Sequence, residues 1–466
     1  MASSQKQQDT AIIASNVSER LIVLIAGIGM FLSTLDTGII NVALPSLVTD
    51  FHTSVTGITW TVTIYLMALS ASIVTFGRLS DRHGHLTMYR WGLLVFAISS
   101  IAAGASFSLA QLILSRSLQG IGAAMLQATA AALITTLVAP ERKGAALGTL
   151  GIMIGLGPVL GPAVGGIILS SIGWRWIFWL NIPFCLLGLY GCSRLTTGSV
   201  AERKTPLDVP GNVLFIITML TLLYGLSNLS GAAFSLYQVV LPLLIFGIGL
   251  ILFLFREART SSPLLDLKLF RSSFVAIPLF ATASFGAATA VVFILPPYFL
   301  ENITRLAPWQ VGYIALSAPL GLAIVSRFSG KAIKYQGTSR LMLFGLSVMF
   351  AALVLLSIMQ PGWGPLLFVP FLFLYGVGGG IFQPPNIAGV MEAVGIERQG
   401  TIGAVQRMVQ NVAIALGAAL SAVFIQSHSG AGIGELLWGF RSAWIFAGAL
   451  IFISILSFCV LLARRR

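Results

Sequence analysis

Charged residues are scarce in this sequence: they make up 9% of its 466 residues, whereas soluble proteins carry about 25%. So few charges cannot cover a water-soluble surface. Hydrophobic residues make up 57%, and apolar runs of about 20 residues, the length that crosses a bilayer, recur along the chain. The composition therefore predicts an all-α integral membrane protein with many spans.

Cysteine and histidine are also rare, with three and four residues. The cysteines lie in apolar runs without paired spacing, so we expect neither a disulfide framework nor a metal site. The phosphate-binding pattern Gly-x-x-x-x-Gly-Lys-Ser/Thr does not occur in the sequence, which argues against ATP as an energy source. We expect no enzyme activity and no cofactor, and a gradient as the source of energy.

The net charge of +13 does not indicate a nucleic-acid partner, because the basic residues form short clusters between apolar runs rather than one basic face. They are interpreted as topology signals. Fourteen spans are predicted, at 21–45, 56–77, 86–107, 109–136, 144–170, 175–193, 210–230, 237–255, 273–297, 308–326, 341–360, 364–388, 400–426 and 440–463.

The distribution of basic residues supports this count. With fourteen spans, 22 of the 27 basic residues lie in one set of loops, and only Arg175, Arg305 and Arg441 lie in the other. Basic loops face the cytoplasm, so both termini are predicted to be cytoplasmic. The first 20 residues lack a secretory signal, so we expect the first span to be retained.

An internal repeat divides the chain. Three fragments recur in order at shifts of 252 to 256 residues: 77–84 as 330–337, 120–127 as 376–383, and 148–151 as 400–403. They pair span 2 with 10, 4 with 12 and 5 with 13. Two such halves place a substrate site where they face each other, and rocking between them gives alternating access.

The predicted segments are a cytoplasmic tail at 1–20, a six-helix bundle at 21–193, loops with two inserted helices at 194–272, a second six-helix bundle at 273–463, and a tail at 464–466.

Asp36 is the one clearly intramembrane acid, and Arg116 and Arg407 are the basic residues within spans. Asp36 and Arg116 lie about 13 and 11 Å from the outer ends of their spans, at similar depth. An ionisable residue there costs at least about 2.5 kcal/mol, so we interpret the pair as a coupling site where a proton or cationic substrate competes with Arg116 for the carboxylate. A structural ion pair is the alternative. Arg407 is either an interfacial anchor or a gating residue.

The turn between spans 2 and 3 contains Gly77, Arg78, Asp81, Arg82 and Gly84. The glycines permit a tight turn and a close helix approach, and Asp81 can accept hydrogen bonds at a helix N-terminus or pair with an arginine. This pattern predicts a conformational latch that is made in one state and broken in the other. A charged loop that only enforces topology is the alternative.

Two further sets of residues are candidates. Small residues and a proline form a smooth, kinked stripe along span 5: Gly148, Gly157, Gly161, Pro162, Gly165 and Gly166. Polar and aromatic residues at similar depths are candidates for a substrate cavity, although each alone is more often a helix-packing residue: Asn41, Trp60, Tyr65, Gln119, Gln127, Gln383, Asn386, Gln406 and Asn411.

Together these motifs resemble the major facilitator superfamily, and within it the fourteen-span drug:proton antiporter branch. Gly77 to Gly84 is similar to the loop 2–3 signature, and Leu114 to Gly122 to the span 4 motif whose arginine is implicated in proton coupling. Gly148 to Gly166 matches the span 5 motif associated with antiporters. Leu35 to Pro45 resembles the span 1 motif of the branch, and Trp174 to Pro183 its entry to span 6.

The resemblance implies an MFS fold of two six-helix bundles plus two inserted helices (14 TM). It implies a proton-coupled antiporter of the plasma membrane that exports lipophilic, cationic or zwitterionic drugs. Its partners would be a small-molecule substrate, protons and membrane lipid, and an accessory envelope protein is left open. Alternatives are a dedicated exporter of a metabolite, peptide, tetracycline-like compound or lipid, an uptake symporter, and an integral-membrane enzyme.

Two departures from the family pattern matter. His85 and Leu86 stand where the family has a basic pair, so either Arg90 substitutes or the latch is weaker. The second half also lacks an intramembrane carboxylate, which disfavours dicationic substrates.

Overall fold

The computed structural model describes residues 19–195, 208–229, 235–260, 263–360, 363–426 and 433–463. Helices dominate these ranges, and none of them contains a strand. The predicted tail at 464–466 and nearly all of the tail at 1–20 lie outside the described residues.

Six helices form the first half: α1 Glu19–Asp50, α2 Val55–His83, α3 His85–Gly104, α4 Leu109–Leu137, α5 Pro140–Ser171, and α6 in two segments, Arg175–Trp179 and Asn181–Ser193. Two helices follow: α7 Val209–Ser227 and α8 Leu241–Arg259, the latter preceded by a π-helical turn at Leu236–Val240. Six more complete the chain: α9 Ser273–Asn302, α10 in two segments, Pro308–Ala315 and Ser317–Gln336, α11 Thr338–Ser357, α12 Phe368–Glu392, α13 Gln399–Gln426 and α14 Ile433–Ala463.

These helices confirm the predicted fold. In the described part of the chain, thirteen are long and apolar enough to cross a membrane, and the bent helix α5 makes a fourteenth. The two parts of α5, Pro140–Pro158 and Leu160–Ser171, meet at 42°. Pro158 and Pro162 lie at this bend. They account for it, because proline removes backbone donors and kinks a helix.

The chain divides into two compact units. Unit 1 holds α1 to α6, the first residues of α7 and the start of α13 up to Arg407, and unit 2 holds the rest of α7, α8 to α12, the remainder of α13 and α14. The predicted segment boundaries follow the order of spans instead, and they stay predictions.

In unit 1, glycines of α4 pack directly against two neighbouring helices. A Cβ atom at Gly120 would lie 2.4 Å from the Tyr65 carbonyl oxygen of α2, and one at Gly122 would lie 2.8 Å from the Phe96 nitrogen of α3. Only glycine allows backbones to approach this closely.

Unit 2 repeats this packing at the equivalent glycines of α12. A Cβ atom at Gly376 would lie 1.8 Å from the Ala318 carbonyl oxygen of α10, and one at Gly378 would lie 2.7 Å from the Met349 nitrogen of α11. The hairpins also match, since Gly84 and Gly337 join α2 to α3 and α10 to α11 with φ of 94° and 75°. The repeat seen in the sequence is therefore a repeat of helix packing.

A third equivalence relates α1 to α9. A Cβ atom at Gly38 would lie 3.3 Å from Pro158 of α5, and one at Gly286 would lie 2.7 Å from the Gln410 carbonyl oxygen of α13. Counting back from these two glycines gives three equivalent pairs: Asp36 with Ser284, Thr34 with Thr282, and Ser33 with Ala281.

Candidate functional site

A fully buried polar network occupies the interior of unit 1, with the Asp36 carboxylate of α1 at its centre. Arg116 Nη1 donates to Asp36 Oδ2, while Gln119 Nε2 and Asn181 Nδ2 donate to Oδ1 at 3.0 and 3.3 Å. Gln119 and Asn181 also donate to Ser100 Oγ of α3, at 2.9 and 3.4 Å. The network thus ties together α1, α3, α4 and α6.

Arg116 is held on several sides. Its Nε donates to the Thr61 carbonyl of α2 at 3.1 Å, and its Nη1 also donates to Gln119 Oε1 at 2.7 Å. The guanidinium carbon lies 4.3 Å from the centre of the Tyr65 ring and 5.9 Å from that of Phe178, where the ring faces attract a cation. Its Nη2 is buried and has no hydrogen-bond partner among the described residues.

Sequence features explain how this arrangement forms. Arg116 and Gln119 are three residues apart on α4, so both side chains project from one helical face. The next residue, Gly120, allows α4 to touch α2, which brings Arg116 within reach of the Thr61 carbonyl. Asp36 and Arg116 are each 0% exposed, and charges buried to this degree need such paired hydrogen bonds. The structure brings the predicted pair together, and its role in coupling is a proposal.

Two network residues, Ser100 and Asn181, were not singled out by sequence reasoning. Asn181 stood within the fragment that resembles the entry to span 6, so a signal existed. Ser100 gave none, because a serine inside a span more often bonds to its own helix.

Ser33 of α1, near Asp36, also accepts side-chain hydrogen bonds from two other helices, one at its backbone carbonyl and one at its hydroxyl. Tyr65 OH donates to the Ser33 carbonyl at 3.0 Å, and Gln127 Nε2 donates to Ser33 Oγ at 3.2 Å. Tyr65, Gln119 and Gln127, which were predicted as cavity residues, are therefore buried members of the network.

A tyrosine of α3 inserts its hydroxyl beside the α1 backbone two turns before Asp36. Tyr89 OH accepts a hydrogen bond from the Gly29 nitrogen at 2.8 Å and donates one to the Ile25 carbonyl. These two backbone groups are four residues apart, the spacing of a helical hydrogen bond. Insertion of a side chain at such a point is a known cause of helix bending.

The glycine stripe of α5 packs against α1 beside Asp36. A Cβ atom at Gly157 would lie 2.0 Å from Thr34 Oγ1, and one at Gly161 would lie 2.8 Å from the Ile39 nitrogen. The other members are Gly165, which also meets α1, Gly148, which is buried, Gly166, which is half-buried, and Pro162, which is exposed.

Asp81 caps the N-terminus of α13. Its Oδ1 accepts from the Gly400 nitrogen at 2.7 Å, and its Oδ2 accepts from the Thr401 nitrogen at 2.8 Å and from Thr401 Oγ1 at 2.5 Å. A Cβ atom at Gly77 would lie 2.5 Å from that of Ala404, so the two helices are in close contact. A carboxylate in this position satisfies orphan donors and complements the helix dipole.

The other predicted latch residues surround this cap. Gly84 ends α2, Arg78 is half-buried, and Arg82 Nε is buried without a hydrogen-bond partner in the described ranges. Arg90 does not substitute for the missing basic pair here, because it donates to carbonyls that end α6, including that of Leu195 at 3.3 Å.

The remaining cavity candidates are spread over both units. Asn386 Nδ2 of α12 donates to Thr282 Oγ1 of α9 at 2.7 Å. Arg407, which is not a cavity candidate but was predicted as an interfacial anchor or a gating residue, is 9% exposed. This burial disfavours an anchor that reaches the membrane surface. The others are Gln383 and Gln406, both buried, Trp60 and Asn411, both half-buried, and Asn41, which is exposed.

Two acids besides Asp36 are buried: Asp208 and Glu257, near ends of the inserted helices. The described ranges contain no group of three or more side chains that could hold a metal ion.

Comparisons with known proteins agree with this arrangement. The family model described as Major Facilitator Superfamily matches residues 26–418. Riboflavin transporter RibZ of Clostridioides difficile is 31% identical over 410 residues, 87% of this chain and 88% of that protein. Multidrug resistance protein Stp of Mycobacterium tuberculosis is 30% identical over 387 residues, 83% of this chain and 72% of that protein.

A solved transporter structure shares the fold. The human organic anion transporter MFSD10 (TETRAN) aligns with a TM-score of 0.67 over 95% of this chain and 100% of that chain, at 16% identity. An identity this low supports the fold alone.

Proposed function

Because the chain belongs to the Major Facilitator Superfamily, we propose that it is a proton-coupled antiporter that exports lipophilic, cationic or zwitterionic compounds by alternating access. It would act in the plasma membrane with both termini in the cytoplasm. The observation that carries the proposal is the buried Asp36–Arg116 pair, since an intramembrane ionisable residue indicates function by default. The multidrug resistance relative supports a drug-like cargo.

The proposed coupling step is proton exchange at Asp36. Proton binding removes the negative charge that faces Arg116, whose guanidinium keeps the Thr61 carbonyl and the Tyr65 ring as partners. The protonated carboxyl then needs an acceptor, whereas Gln119 Nε2 and Asn181 Nδ2 both present donors to Oδ1, so the network has to rearrange. Because the network joins α1, α3, α4 and α6, this exchange changes how these helices are tied together.

The energy for export would come from the proton that moves inward. Each elementary charge crossing 100 mV supplies about 2.3 kcal/mol, which sustains a gradient of roughly fifty-fold for one zwitterionic cargo molecule. Exchange of one proton for one singly charged cation moves no net charge, so the pH difference alone would drive that export. The Asp81 cap on α13 is the proposed latch: it is made in the present conformation and breaks when access alternates.

A dedicated transporter of one metabolite is the second candidate. The similarity to RibZ, which is named a riboflavin transporter, favours it. A drug-susceptibility panel in an efflux-deficient host separates the two candidates. A multidrug exporter protects against many unrelated compounds, whereas a dedicated transporter protects against few or none.

The decisive experiment measures uptake of a lipophilic cationic dye into inside-out vesicles under an imposed pH gradient. Wild-type, Asp36→Asn and Asp50→Asn proteins are compared. Asp50 provides the matched control because it lies on the same helix but is about half exposed and pairs with Arg175 at 3.6 Å.

Dye uptake that collapses with the gradient and in Asp36→Asn, but not in Asp50→Asn, supports the proposal. Gradient-driven uptake that survives in both Asp36→Asn and Arg116→Ala removes the pair from the coupling step. No transport of any lipophilic cation by wild-type protein favours the dedicated transporter.

A further inference from the structure

Two buried amide oxygens of α12 accept no hydrogen bond within the described part of the chain: Gln383 Oε1 and Asn386 Oδ1. Gln383 is 4% exposed and Asn386 is 2% exposed. Leaving a buried acceptor unsatisfied costs about 1–3 kcal/mol, so each such group in a folded protein needs an explanation.

Both oxygens belong to the face of α12 that meets α9. A Cβ atom at Gly379 would lie 3.1 Å from the Phe285 ring of α9, and Asn386 Nδ2 donates to Thr282 Oγ1 of the same helix at 2.7 Å. Gln383 lies four residues after Gly379 and three before Asn386, which places it on this face between them. The Asn386 nitrogen has a partner in Thr282, whereas the Asn386 oxygen has none within the described ranges.

The backbone adds to the excess of acceptors. Pro384 and Pro385 have no N–H, so the carbonyls of Gly380 and Ile381 lose their helical donors. Ser329 Oγ of α10 supplies the Ile381 carbonyl with a replacement donor at 2.7 Å. This stretch of α12 is therefore rich in hydrogen-bond acceptors and poor in donors.

The repeat shows how the surroundings of Gln383 differ from those of its equivalent in unit 1. Its equivalent in unit 1, Gln127, donates to Ser33 Oγ at 3.2 Å. The residue of α9 equivalent to Ser33 is Ala281, which is fully buried and has no hydroxyl. Unit 2 thus keeps the amide but lacks the neighbouring hydroxyl, a group that can donate a hydrogen bond to an amide oxygen as well as accept one from an amide nitrogen.

We infer that Gln383 and Asn386 form a hydrogen-bond acceptor site for cargo with N–H donors on a flat aromatic body, such as an aromatic amine or an imide. Phe285 and Phe382, whose ring centres are 5.5 Å apart, make the neighbouring interior aromatic. This inference rests on the proposed transport function. It names the class of compound that the Gln383 and Asn386 site of unit 2 selects.

The test is equilibrium binding to the full-length protein in lipid nanodiscs, with no gradient. The probes are rhodamine 123 and its N-tetramethylated analogue, tetramethylrhodamine methyl ester, two lipophilic cations that differ in N–H donors. The variants are Gln383→Leu, which removes the acceptor, and Ala281→Ser, which offers the amide an internal partner. Gln336→Leu, an exposed glutamine at the end of α10, is the matched control.

We expect wild-type protein to bind rhodamine 123 about tenfold more tightly than the tetramethylated dye, because one satisfied buried acceptor contributes on this order. Gln383→Leu and Ala281→Ser should each weaken rhodamine 123 binding about tenfold and leave the tetramethylated dye unchanged. Gln336→Leu should change neither affinity.

Equal affinities of wild-type protein for the two dyes, or binding of neither, overturn the inference. So does Gln383→Leu with unchanged affinities, or with equal weakening of both dyes, since the latter indicates a structural amide. Asp36→Asn should retain the preference between the dyes. Wild-type protein that prefers rhodamine 123 but shows no gradient-driven transport would count against the proposed coupling and leave this acceptor site standing.

Discussion

The two units share a pattern of helix packing but differ in the chemistry of their interiors. In unit 1 the paired positions hold Asp36 and Arg116, joined by a buried ion pair. In unit 2 the equivalent positions hold Ser284 and Leu372, and Ser284 Oγ accepts only a neutral hydrogen bond from Ser454 Oγ at 2.9 Å. The glycines that set helix contacts are present in both units, while ionisable groups occupy these two positions only in unit 1.

We propose that this difference decides which unit responds to protons at the paired positions. A buried charge is costly and sensitive to protonation, whereas the core of unit 2 is built from aromatic contacts such as Phe299 with Phe368 and with Phe440, each at 5.3 Å. Apolar contacts of this kind do not titrate. We therefore expect substitutions in unit 1 to change proton coupling, and substitutions in unit 2 to change packing or cargo preference.

The largest effect should come from giving unit 1 the interior of unit 2. Arg116→Leu alone leaves the Asp36 carboxylate buried without its cation, which costs about 3–5 kcal/mol. The double variant Asp36→Ser with Arg116→Leu copies the residues of unit 2 and removes both charges. We expect it to regain most of the lost thermal stability in detergent while losing proton-coupled transport. A double variant as unstable as the single one would assign the cost to packing instead of the unpaired charge.

A smaller effect should distinguish the equivalent glycines. Gly376→Ala and Gly120→Ala should each lower stability by about 1–3 kcal/mol, because the added methyl group overpacks a helix contact. Gly376→Ala should lower it more, since its Cβ would lie 1.8 Å from a carbonyl oxygen, against 2.4 Å at Gly120. Melting temperatures in detergent give the measurement.

Gly247→Ala on α8 is the control, because a Cβ atom there meets nothing within 4 Å. It should raise the stability by up to about 1 kcal/mol, the helix-propensity gain of alanine over glycine. Equal melting temperatures for Gly376→Ala and Gly120→Ala would contradict the prediction that the closer contact at Gly376 makes its substitution more destabilising.

The smallest effect concerns the caps. Asp81→Ala removes the N-cap of α13 and should lower stability by about 1 kcal/mol, with faster amide hydrogen exchange in the first turn of α13. The residue of α10 that is equivalent to Asp81 in the repeat is Lys334, which is exposed. Lys334→Ala should therefore change stability by less than about 0.5 kcal/mol. Unchanged exchange at Gly400 and Thr401 in Asp81→Ala would contradict the capping role.

The sequence allowed the fourteen spans to be predicted because each combines sufficient length with apolar side chains. Asp36 and Arg116 could be paired because buried charges need partners and because their depths agree. Ser100 and Tyr89 could not be identified, since the rotation of α3 about its axis decides whether they reach α4 and α1 or their own backbone. Local sequence does not encode that rotation.

The cap on α13 illustrates a further limit on sequence-based prediction. The pattern around Asp81 indicated an acceptor for a helix N-terminus, but it did not indicate which helix. Its partner, Thr401, is separated from it by 320 residues, and glycine and threonine at a helix start are too common to identify it. Only the tertiary structure selects that helix.

The same separation has a consequence for biosynthesis. At roughly 5–20 residues per second, the ribosome takes between about 15 and 60 s to extend the chain from Asp81 to Thr401. During this interval the Asp81 carboxylate has no helix N-terminus to cap, and water must solvate it at the end of α2. Closure of the cap is therefore a late event, which reports that the thirteenth helix has been made and has found its place against the first half of the chain.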